Sequence, residues 1–522
     1  MSGERLTHGG PPTPALPAVL PAQGTIRRAA ITNLGCKVNQ AEMDALAQLL
    51  QRRGIDVSTD GREADLHVVN TCAVTAVADD KSRKAVRRAR RESPGALVLV
   101  TGCSVQVGPE VFRGIDPSAL VLANEVKDDL LAEVERLLGP DRAGDAPHGL
   151  IDGPLPTLAG VEPEAAAGDR AWTERTRAYL KIQDGCSFFC TYCIIPRARG
   201  PERSLPPEAV MADARRALAA GHRELVLTGI NVGTYDGGRS ERTARGGHRD
   251  AVLTLAGLVR RLLADTSVER IRISSIEPQH LDDELLATMA GSGGRCLPHL
   301  HLPLQSGDDG VLRRMGRRYD TALYARTVAR AREALPGAAI HADVIAGFPA
   351  EDEVAWARTL GFVRLLDLAG LHVFRYSARP RTPATRMAGQ VPEPVRRARA
   401  AELLALAAAA RREHVARAVG SERLVLVEAP YGAGGWIGRG EDYLLVRVGA
   451  AGDPSLDGEI ARVAVTGPDP DDPERAIGRV VAIVPRPETP GPVSAGRGLP
   501  VVPFDPGAFP GRASAPQPGG QP

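Results

Sequence analysis

Short apolar runs alternate with helical patterns along most of this chain, and the first folded region that they define covers residues 28–145. Its apolar runs lie at residues 29–34, 66–69 and 97–100, and a segment of helical periodicity follows each run. This order predicts parallel strands with helices packed against them. We therefore expect an α/β fold class for the chain and a doubly wound parallel sheet in this first domain.

The second region, residues 175–420, repeats a strand-then-helix unit six times. Its predicted strands cover residues 178–182, 224–227, 271–275, 299–304, 340–346 and 372–376. Six such units predict a partial (β/α)6 barrel, in which ligands bind at the carboxyl ends of the strands. A long helix rich in Ala and Arg, at about residues 393–418, is expected to close this region.

The third region, residues 421–485, changes to the alternating pattern of short strands. Predicted strands at residues 424–428, 443–448, 460–465 and 480–484 surround Gly-rich turns, which is typical of a small β-barrel. Such barrels often bind RNA, and a docking module is the alternative. Residues 1–27 and 486–522 are rich in Pro and Gly and are expected to be disordered tails. Residues 146–174 are a predicted linker, and the insert 237–248 a predicted surface loop.

Composition favours a multidomain enzyme of the cytoplasm. The chain has 522 residues, 43% of them hydrophobic, and no apolar run long enough to span a bilayer, so we expect no membrane partner. Prolines interrupt the first 25 residues, unlike the apolar core of a signal peptide. A net charge of +2 gives no global signature of nucleic-acid binding. Seven cysteines without an export signal favour metal ligation over disulfides.

Three cysteines stand close together at positions 186, 190 and 193. Gly185 precedes them and Pro196 ends the run, so a loop is favoured over a helix with one buried face. Three thiolates bind three irons of a 4Fe–4S cluster and leave the fourth iron open to S-adenosylmethionine. A zinc site is disfavoured, because no second Cys-x2-Cys pair exists. The spacing therefore predicts an iron–sulfur cluster bound by Cys186, Cys190 and Cys193.

Three further cysteines follow the predicted strands of the first region. Cys36, Cys72 and Cys103 each lie just past the carboxyl end of one strand, and those ends share one edge of a parallel sheet. We therefore expect them to converge as ligands of a second 4Fe–4S cluster. The alternative is that they are small buried residues at strand ends, as free cysteines often are.

Polar and glycine residues recur at the strand ends of the second region. Glycines allow a cofactor to approach the backbone, and amide, carboxylate and hydroxyl groups bind its ribose or amino-acid part. The residues predicted to bind S-adenosylmethionine are Thr228, Gly229, Asn231, Glu277, Gln305, Ser306 and Gly347. His299 and His301 alternate along one strand and face the same side. Metal ligation is one interpretation, and polar lining of the barrel is favoured over it because no acidic or Cys partner is near them in sequence.

The order of these three regions resembles the radical S-adenosylmethionine methylthiotransferase family over residues 28–485, and its last barrel resembles the family's RNA-binding TRAM domain. The first-cysteine motif, Gly35-Cys36-Lys37-Val38-Asn39, is similar to the branch that modifies N6-threonylcarbamoyladenosine at position 37 of tRNA. The isopentenyladenosine branch tends to carry Gly-Cys-Gln-Met-Asn, and the ribosomal-protein branch Gly-Cys-Pro-Lys-Asn. One departure is Ala350, where relatives usually have Gly after Gly-Phe-Pro.

This resemblance implies two 4Fe–4S clusters and S-adenosylmethionine as cofactors. The cluster on Cys186, Cys190 and Cys193 would reduce S-adenosylmethionine to a deoxyadenosyl radical, and the cluster on Cys36, Cys72 and Cys103 would hold the sulfur that is transferred to C2 of the adenine. Expected partners are the anticodon loop of tRNA, a reductant such as flavodoxin or ferredoxin, and a sulfur donor. The alternatives are methylthiolation of isopentenyladenosine or of a ribosomal protein, and a noncatalytic iron–sulfur RNA-binding protein.

Overall fold

The computed structural model describes residues 26–59, 61–124, 176–238, 253–432, 435–449 and 456–487. Those up to Pro485 belong to one compact unit. The predicted linker, most of the 237–248 insert and nearly all of both predicted tails lie outside the described residues.

The first region contains a parallel sheet of five strands in the order β2-β1-β3-β4-β5. Apolar clusters lie on both faces: α1 packs on one face and α2 on the other. The predicted doubly wound sheet is thus confirmed. Its elements in chain order are β1 Arg28–Asn33, α1 Lys37–Arg52, β2 Asp56–Ser58, β3 Leu66–Thr71, α2 Ala76–Glu92, β4 Leu97–Gly102, α3 Cys103–Val107, α4 Pro109–Ile115 and β5 Leu120–Val121.

The second region contains the six predicted parallel strands, which form two groups of three. Backbone hydrogen bonds join the groups, from Ile271 N–H to the Arg295 carbonyl at 2.6 Å and from Leu297 N–H to the Ile271 carbonyl at 2.8 Å. The strands, with one added two-stranded pair, are β6 Arg177–Lys181, β7 Gln183–Asp184, β8 Arg203–Ser204, β9 Glu224–Thr228, β10 Arg270–Ile273, β11 His299–His301, β12 Ala339–Ala346 and β13 Gly370–Arg375.

Helices follow these strands, and the long helix predicted at 393–418 is confirmed as the last of them. Within the described ranges, three short 3-10 turns lie between them, at Val232–Thr234, Pro278–His280 and Pro383–Arg386. The helices are α5 Ile195–Arg199, α6 Pro207–Ala219, α7 Leu255–Asp265, α8 Asp283–Ala290, α9 Asp309–Met315, α10 Thr321–Ala334, α11 Glu353–Leu365 and α12 Glu393–Ala418. No helix in the described ranges combines the length and apolarity needed to cross a membrane.

The barrel strands alternate between an apolar outer face and a polar inner face. Leu180, Leu225, Ile271, Leu300 and Ile340 belong to the core shared with the helices. Because neighbouring strand residues point to opposite sides, the intervening polar side chains face the interior, called the lumen below. They include Arg177, Lys181, Glu224, Arg272, His299, His301, His341, Asp343 and His372. A lumen lined in this way suits a polar ligand better than a packed apolar core.

The third region is a closed five-stranded barrel in the order β14-β15-β16-β18-β17. Sequence analysis predicted four strands and missed β15, since this strand contains two glycines and follows a turn. The strands are β14 Glu422–Tyr431, β15 Gly435–Arg439, β16 Leu445–Gly449, β17 Ile460–Asp469 and β18 Asp472–Ile483.

A buried ion-pair network joins the two barrels. Glu224, fully buried, accepts hydrogen bonds from Arg270 and Arg272, each at 2.7 Å. The same guanidinium groups donate to backbone carbonyls of the last barrel: Arg270 to Leu424 at 2.6 Å and Arg272 to Gly440 at 3.2 Å. Since a carboxylate loses its hydration when buried, these pairs are needed to keep Glu224 charged. Burial alone would raise the pKa of Glu224 and is the largest single influence on it. Arg272 and Arg270 together outweigh burial, so the pKa of Glu224 lies well below its usual range.

The departure at Ala350 coincides with strained backbone. Ala350 has φ of +61°, a left-handed conformation that favours glycine, and its N–H donates to the Gly389 carbonyl at 2.7 Å.

We expect Ala350→Gly to raise the free energy of unfolding by about 0.5–1 kcal/mol, because relief of this strain exceeds the entropy that glycine gains in the unfolded chain. Urea unfolding would measure the change. Ala338→Gly is the matched control: Ala338 has no such φ, so this variant should lose stability. Equal losses in both variants would contradict the prediction.

Candidate iron–sulfur and cofactor site

The first three cysteines lie together at the carboxyl edge of the first sheet. Cys36 precedes α1, and Cys72 and Cys103 follow β3 and β4. Gly35, with φ of +127°, lies so near that a Cβ added there would come within 3.3 Å of the Cys72 Cβ. Cys103 is buried and packs against Ala73, next to Cys72. The fold therefore brings the three thiols to one edge, where a shared ligand can reach them.

The second three cysteines lie in the loop between β7 and α5, not on a helix. Cys186 N–H donates to the Gly200 carbonyl at 3.1 Å, and Cys193 N–H to the Cys190 carbonyl at 2.9 Å. Both cysteine sets are free thiols. Burial raises the pKa of Cys72 and of Cys186 to about 11 and that of Cys193 to about 12. Iron that binds these thiols must therefore displace protons.

One buried arginine links the two cysteine loops. Arg199 ends α5, shortly after Cys193, and its Nη1 lies 3.0 Å from Asp184 Oδ1 and 2.9 Å from Glu42 Oε1. Its Nη2 donates to Asn39 Oδ1 at 2.5 Å. Asn39 is three residues beyond Cys36, and its own Oδ1 is 3.8 Å from the Cys36 sulfur. A single guanidinium thus connects the surroundings of both cysteine sets.

A second link runs through Asn124. Its Nδ2 donates to the Ala198 carbonyl on α5 at 2.6 Å and lies 3.9 Å from the Cys103 sulfur. Ile194, next to Cys193, packs with Ala198 against Cys103 in one small apolar cluster. The residues that follow Cys193 therefore pack against Cys103 and connect by hydrogen bonds to the surroundings of the first cysteine set.

Sequence analysis missed Arg317, which contacts the middle cysteine of the second set. The Arg317 Nη1 donates to the Cys190 sulfur at 3.3 Å, and its Nη2 pairs with the Glu277 carboxylate. An N–H···S contact stabilises a thiolate and tunes a bound cluster. Arg317 stands among Arg313, Arg314 and Arg318, a pattern that from sequence is more often a solvated surface. No local spacing distinguishes it from these neighbours.

Three of the residues predicted to bind S-adenosylmethionine follow β9 or end it. Thr228 is its last residue, and a Cβ on Gly229 would come 2.9 Å from Gln183 Oε1. Asn231 N–H donates to that same oxygen at 2.8 Å. The Asn231 side chain is buried, and neither its nitrogen nor its oxygen has a partner among the described residues. An unsatisfied buried amide is costly, so it fits a polar cofactor bound there.

The other residues predicted to bind S-adenosylmethionine lie just past the carboxyl ends of β10, β11 and β12. Glu277 is held by Arg317, close to Cys190. Gln305 has φ of +66°, and its N–H donates to the Asp343 carbonyl at 2.7 Å. Ser306 is fully buried with its hydroxyl 3.2 Å from Thr359 Oγ1. Gly347, with φ of +76°, donates its N–H to Glu351 Oε2 at 2.7 Å.

Two lumen histidines share one carboxylate. His301 Nε2 lies 2.8 Å and His372 Nδ1 3.1 Å from Asp343 Oδ1. Sequence analysis interpreted His301 as polar lining because no acidic residue is near it in the chain, and the fold supplies Asp343 from the neighbouring strand β12. Despite burial, the hydrogen bonds from the two rings hold the pKa of Asp343 well below its usual range.

Comparisons with known proteins agree with this arrangement. Residues 28–123 match the uncharacterized protein family UPF0004, and residues 180–363 match the radical SAM superfamily. The threonylcarbamoyladenosine tRNA methylthiotransferase MtaB of Bacillus subtilis is 39% identical over 72% of this chain and 79% of its own length. The MtaB of Thermotoga maritima is 33% identical over 76% and 86%. The tRNA-2-methylthio-N(6)-dimethylallyladenosine synthase of Sorangium cellulosum is 33% identical over 91% and 99%.

The two family models thus cover the cysteine-bearing sheet and most of the barrel, and the MtaB relatives are 33–39% identical over at least 72% of this chain. The chain therefore belongs to the radical S-adenosylmethionine tRNA methylthiotransferases, enzymes of the transferase class, and to their MtaB branch.

Proposed function

We propose that this enzyme methylthiolates C2 of N6-threonylcarbamoyladenosine at position 37 of tRNA, giving the 2-methylthio derivative, and that it acts in the cytoplasm. The observation that carries the proposal is the contact between two three-cysteine loops, joined by Arg199 and Asn124. An adenine C2–H bond is neither acidic nor electrophilic, so side-chain acids and bases cannot functionalise it and cofactors must do so. Two adjacent clusters suit a reaction that needs both hydrogen abstraction and sulfur delivery.

In this proposal Cys186, Cys190 and Cys193 would hold a 4Fe–4S cluster to which S-adenosylmethionine would bind. Bound there, S-adenosylmethionine supplies radical chemistry when an electron arrives. Arg317 donates a hydrogen bond to the Cys190 sulfur and so would orient this ligand toward the cluster. Cys36, Cys72 and Cys103 bind the second 4Fe–4S cluster and present the sulfur.

The residues proposed to hold S-adenosylmethionine surround the first of these clusters at the strand ends. Asn231 has the strongest support, because its buried side-chain amide has no other partner among the described residues. Glu277 pairs with Arg317, which contacts Cys190 in the cluster loop. Its carboxylate can accept a hydrogen bond from the amino group or from a ribose hydroxyl of S-adenosylmethionine. The remaining proposed contacts are Thr228, Gly229, Gln305, Ser306 and Gly347.

The proposed domains are 28–145 for the second cluster, 175–420 for radical chemistry and 421–485 for RNA binding, with 146–174 as linker and 1–27 and 486–522 as tails. The closed last barrel supports RNA binding, since small barrels of this kind often bind single strands. Partners in the reaction are the anticodon loop of tRNA, a reductant such as flavodoxin or ferredoxin, and a sulfur donor.

The substrate is inferred from the first-cysteine motif and from the names of the relatives. Lys37 and Val38 follow Cys36, and the B. subtilis and T. maritima relatives are named for threonylcarbamoyladenosine. The alternative is isopentenyladenosine, which the name of the S. cellulosum relative favours.

A reaction with defined tRNA tests the function. Reconstituted, reduced enzyme is incubated anaerobically with S-adenosylmethionine, sulfide and tRNA carrying N6-threonylcarbamoyladenosine, and digested nucleosides are examined by mass spectrometry. We expect the 2-methylthio product. Product from isopentenylated tRNA alone would transfer the proposal to the alternative substrate, and deoxyadenosine without any methylthio product would overturn both tRNA assignments.

Single cysteine variants separate the two proposed clusters. Cys190→Ala should abolish deoxyadenosine formation, whereas Cys72→Ala should still cleave S-adenosylmethionine but insert no sulfur. Each variant should lose about half of the iron, since each keeps one cluster. Cys296→Ala is the control, because Cys296 is buried in the barrel core away from both loops. Methylthiolation by Cys72→Ala would disprove the two-cluster assignment.

A further inference from the structure

Three lumen side chains on three neighbouring strands converge on one point. His301 ends β11, Asp343 lies within β12 and His372 lies on β13, and these strands are consecutive in one parallel sheet. Asp343 pairs directly with His372 in the register of β12 and β13, while His301 pairs with His341, two residues before Asp343. Since residues two apart in a strand point to the same side, the three side chains share one face of the sheet.

The three potential ligand atoms lie at separations that suit one shared metal ion. His301 Nε2 lies 2.8 Å and His372 Nδ1 3.1 Å from Asp343 Oδ1, and all three atoms lie within 4.8 Å of one another. Ligand atoms bonded to one ion at about 2.0–2.2 Å are about 3–4 Å apart. Small adjustments of the two imidazole rings would therefore bring all three atoms to bonding distance of a common ion.

Two imidazoles and one carboxylate are a ligand set that binds divalent transition metals. Imidazole nitrogen suits zinc, iron, nickel and copper, and the carboxylate supplies one negative charge against the two positive charges of the ion. Sites with four protein ligands are typically structural, whereas sites with three keep a position for water or another oxygen donor. This set of three is therefore of the second kind.

The site is accessible to an ion from solvent. The strand β13 is at the edge of its sheet, and the His372 side chain is 52% exposed, whereas those of His301 and Asp343 are 13% and 18% exposed. An ion can therefore enter past His372 and reach two ligands that are already held inside the lumen. Ligands on paired strands are positioned more rigidly than ligands on loops, which favours binding.

We propose that His301, Asp343 and His372 form a mononuclear site for a divalent transition-metal ion, separate from both proposed iron–sulfur clusters. The proposed cluster ligands are cysteines, and none of the three residues of this site is next to a cysteine in sequence. Sequence analysis favoured polar lining for His301 because no acidic partner is near it in the chain. The fold supplies that acidic partner and a second imidazole, so the reason for rejecting a metal no longer holds.

The position of the site determines what the ion would face. Asp343 lies three residues before the end of β12, about 10 Å from the strand ends where S-adenosylmethionine is proposed to bind. An ion bound by Asp343 would therefore lie inside the lumen, beneath that cofactor. Its remaining coordination position would be available to water or to a small oxygen donor that enters the lumen.

Zinc binding to enzyme whose cysteines have been loaded with iron and sulfide tests the site. Wild type and variants are reconstituted anaerobically, desalted and dialysed against increasing concentrations of free Zn²⁺, and bound zinc and iron are measured by elemental analysis. Zinc is the probe because it has no redox chemistry of its own. The variants are His301→Gln, Asp343→Asn and His372→Gln. The matched control is His67→Gln, which changes a histidine of the first sheet that lies 3.1 Å from Thr32 Oγ1.

We expect wild type to bind one zinc ion per chain without losing iron, and its zinc X-ray absorption to show nitrogen and oxygen ligands at about 2.0–2.1 Å. Each site variant should weaken zinc binding by about 100-fold or more, because each removes one of three ligands. Asp343→Asn keeps an oxygen that accepts hydrogen bonds from both rings, so the fold should persist while the charged ligand is lost. His67→Gln should bind zinc as wild type does.

Three results would overturn the proposal. Wild type without bound zinc would leave His301, Asp343 and His372 as a hydrogen-bonded set alone. Sulfur ligands at about 2.3 Å would assign the zinc to cysteines. Equal zinc affinity of wild type and Asp343→Asn would assign it to another part of the chain. If His301→Gln does not fold, the isosteric Asp343→Asn and His372→Gln on the edge strand still decide the outcome.

Discussion

The geometry of the site depends on the buried guanidinium of Arg199. Removing a charge from water is costly, and Asp184 and Glu42 offset that cost for Arg199 while it offsets theirs. Its remaining donor reaches Asn39, so the loop of Cys36 is tied to the loop that ends at Cys193. A buried charge network tolerates little displacement, because any shift leaves one member unpaired. The two cysteine sets, which come from different sheets, are held side by side for this reason.

Pairing of buried charges with opposite charges also organises the barrel interior. Its outer face packs against helices through apolar side chains. Its inner face carries charges such as Arg177, Glu224 and Asp343, which pair with other side chains of the protein. Glu224 matches Arg270 and Arg272, and these arginines also donate to carbonyls of the last barrel, so one network both fills the lumen and fixes the neighbouring domain. Against this matched background, the Asn231 side-chain amide, which has no partner among the described residues, marks a place where a ligand can complete the structure.

Most of the fold could be predicted because its signals are local. All six barrel strands and the three cysteine-terminated strands coincide with apolar runs, and the helix at 393–418 follows from its composition. The strand β15 was missed because two of its five residues are glycines. The partner of His301 was missed because Asp343 is 42 residues away and becomes its neighbour only when β11 and β12 pair.

The sequence by itself determined most of the elements and the two cysteine sets. Periodicity, ligand spacing and turn chemistry act over a few residues, so they can be read without the fold. Only the tertiary structure decided that Arg199 meets Asn39 across 160 residues and that Arg317 alone among its neighbouring arginines reaches Cys190. Charge matching in a buried site depends on which side chains converge in space, and the folded chain sets that convergence.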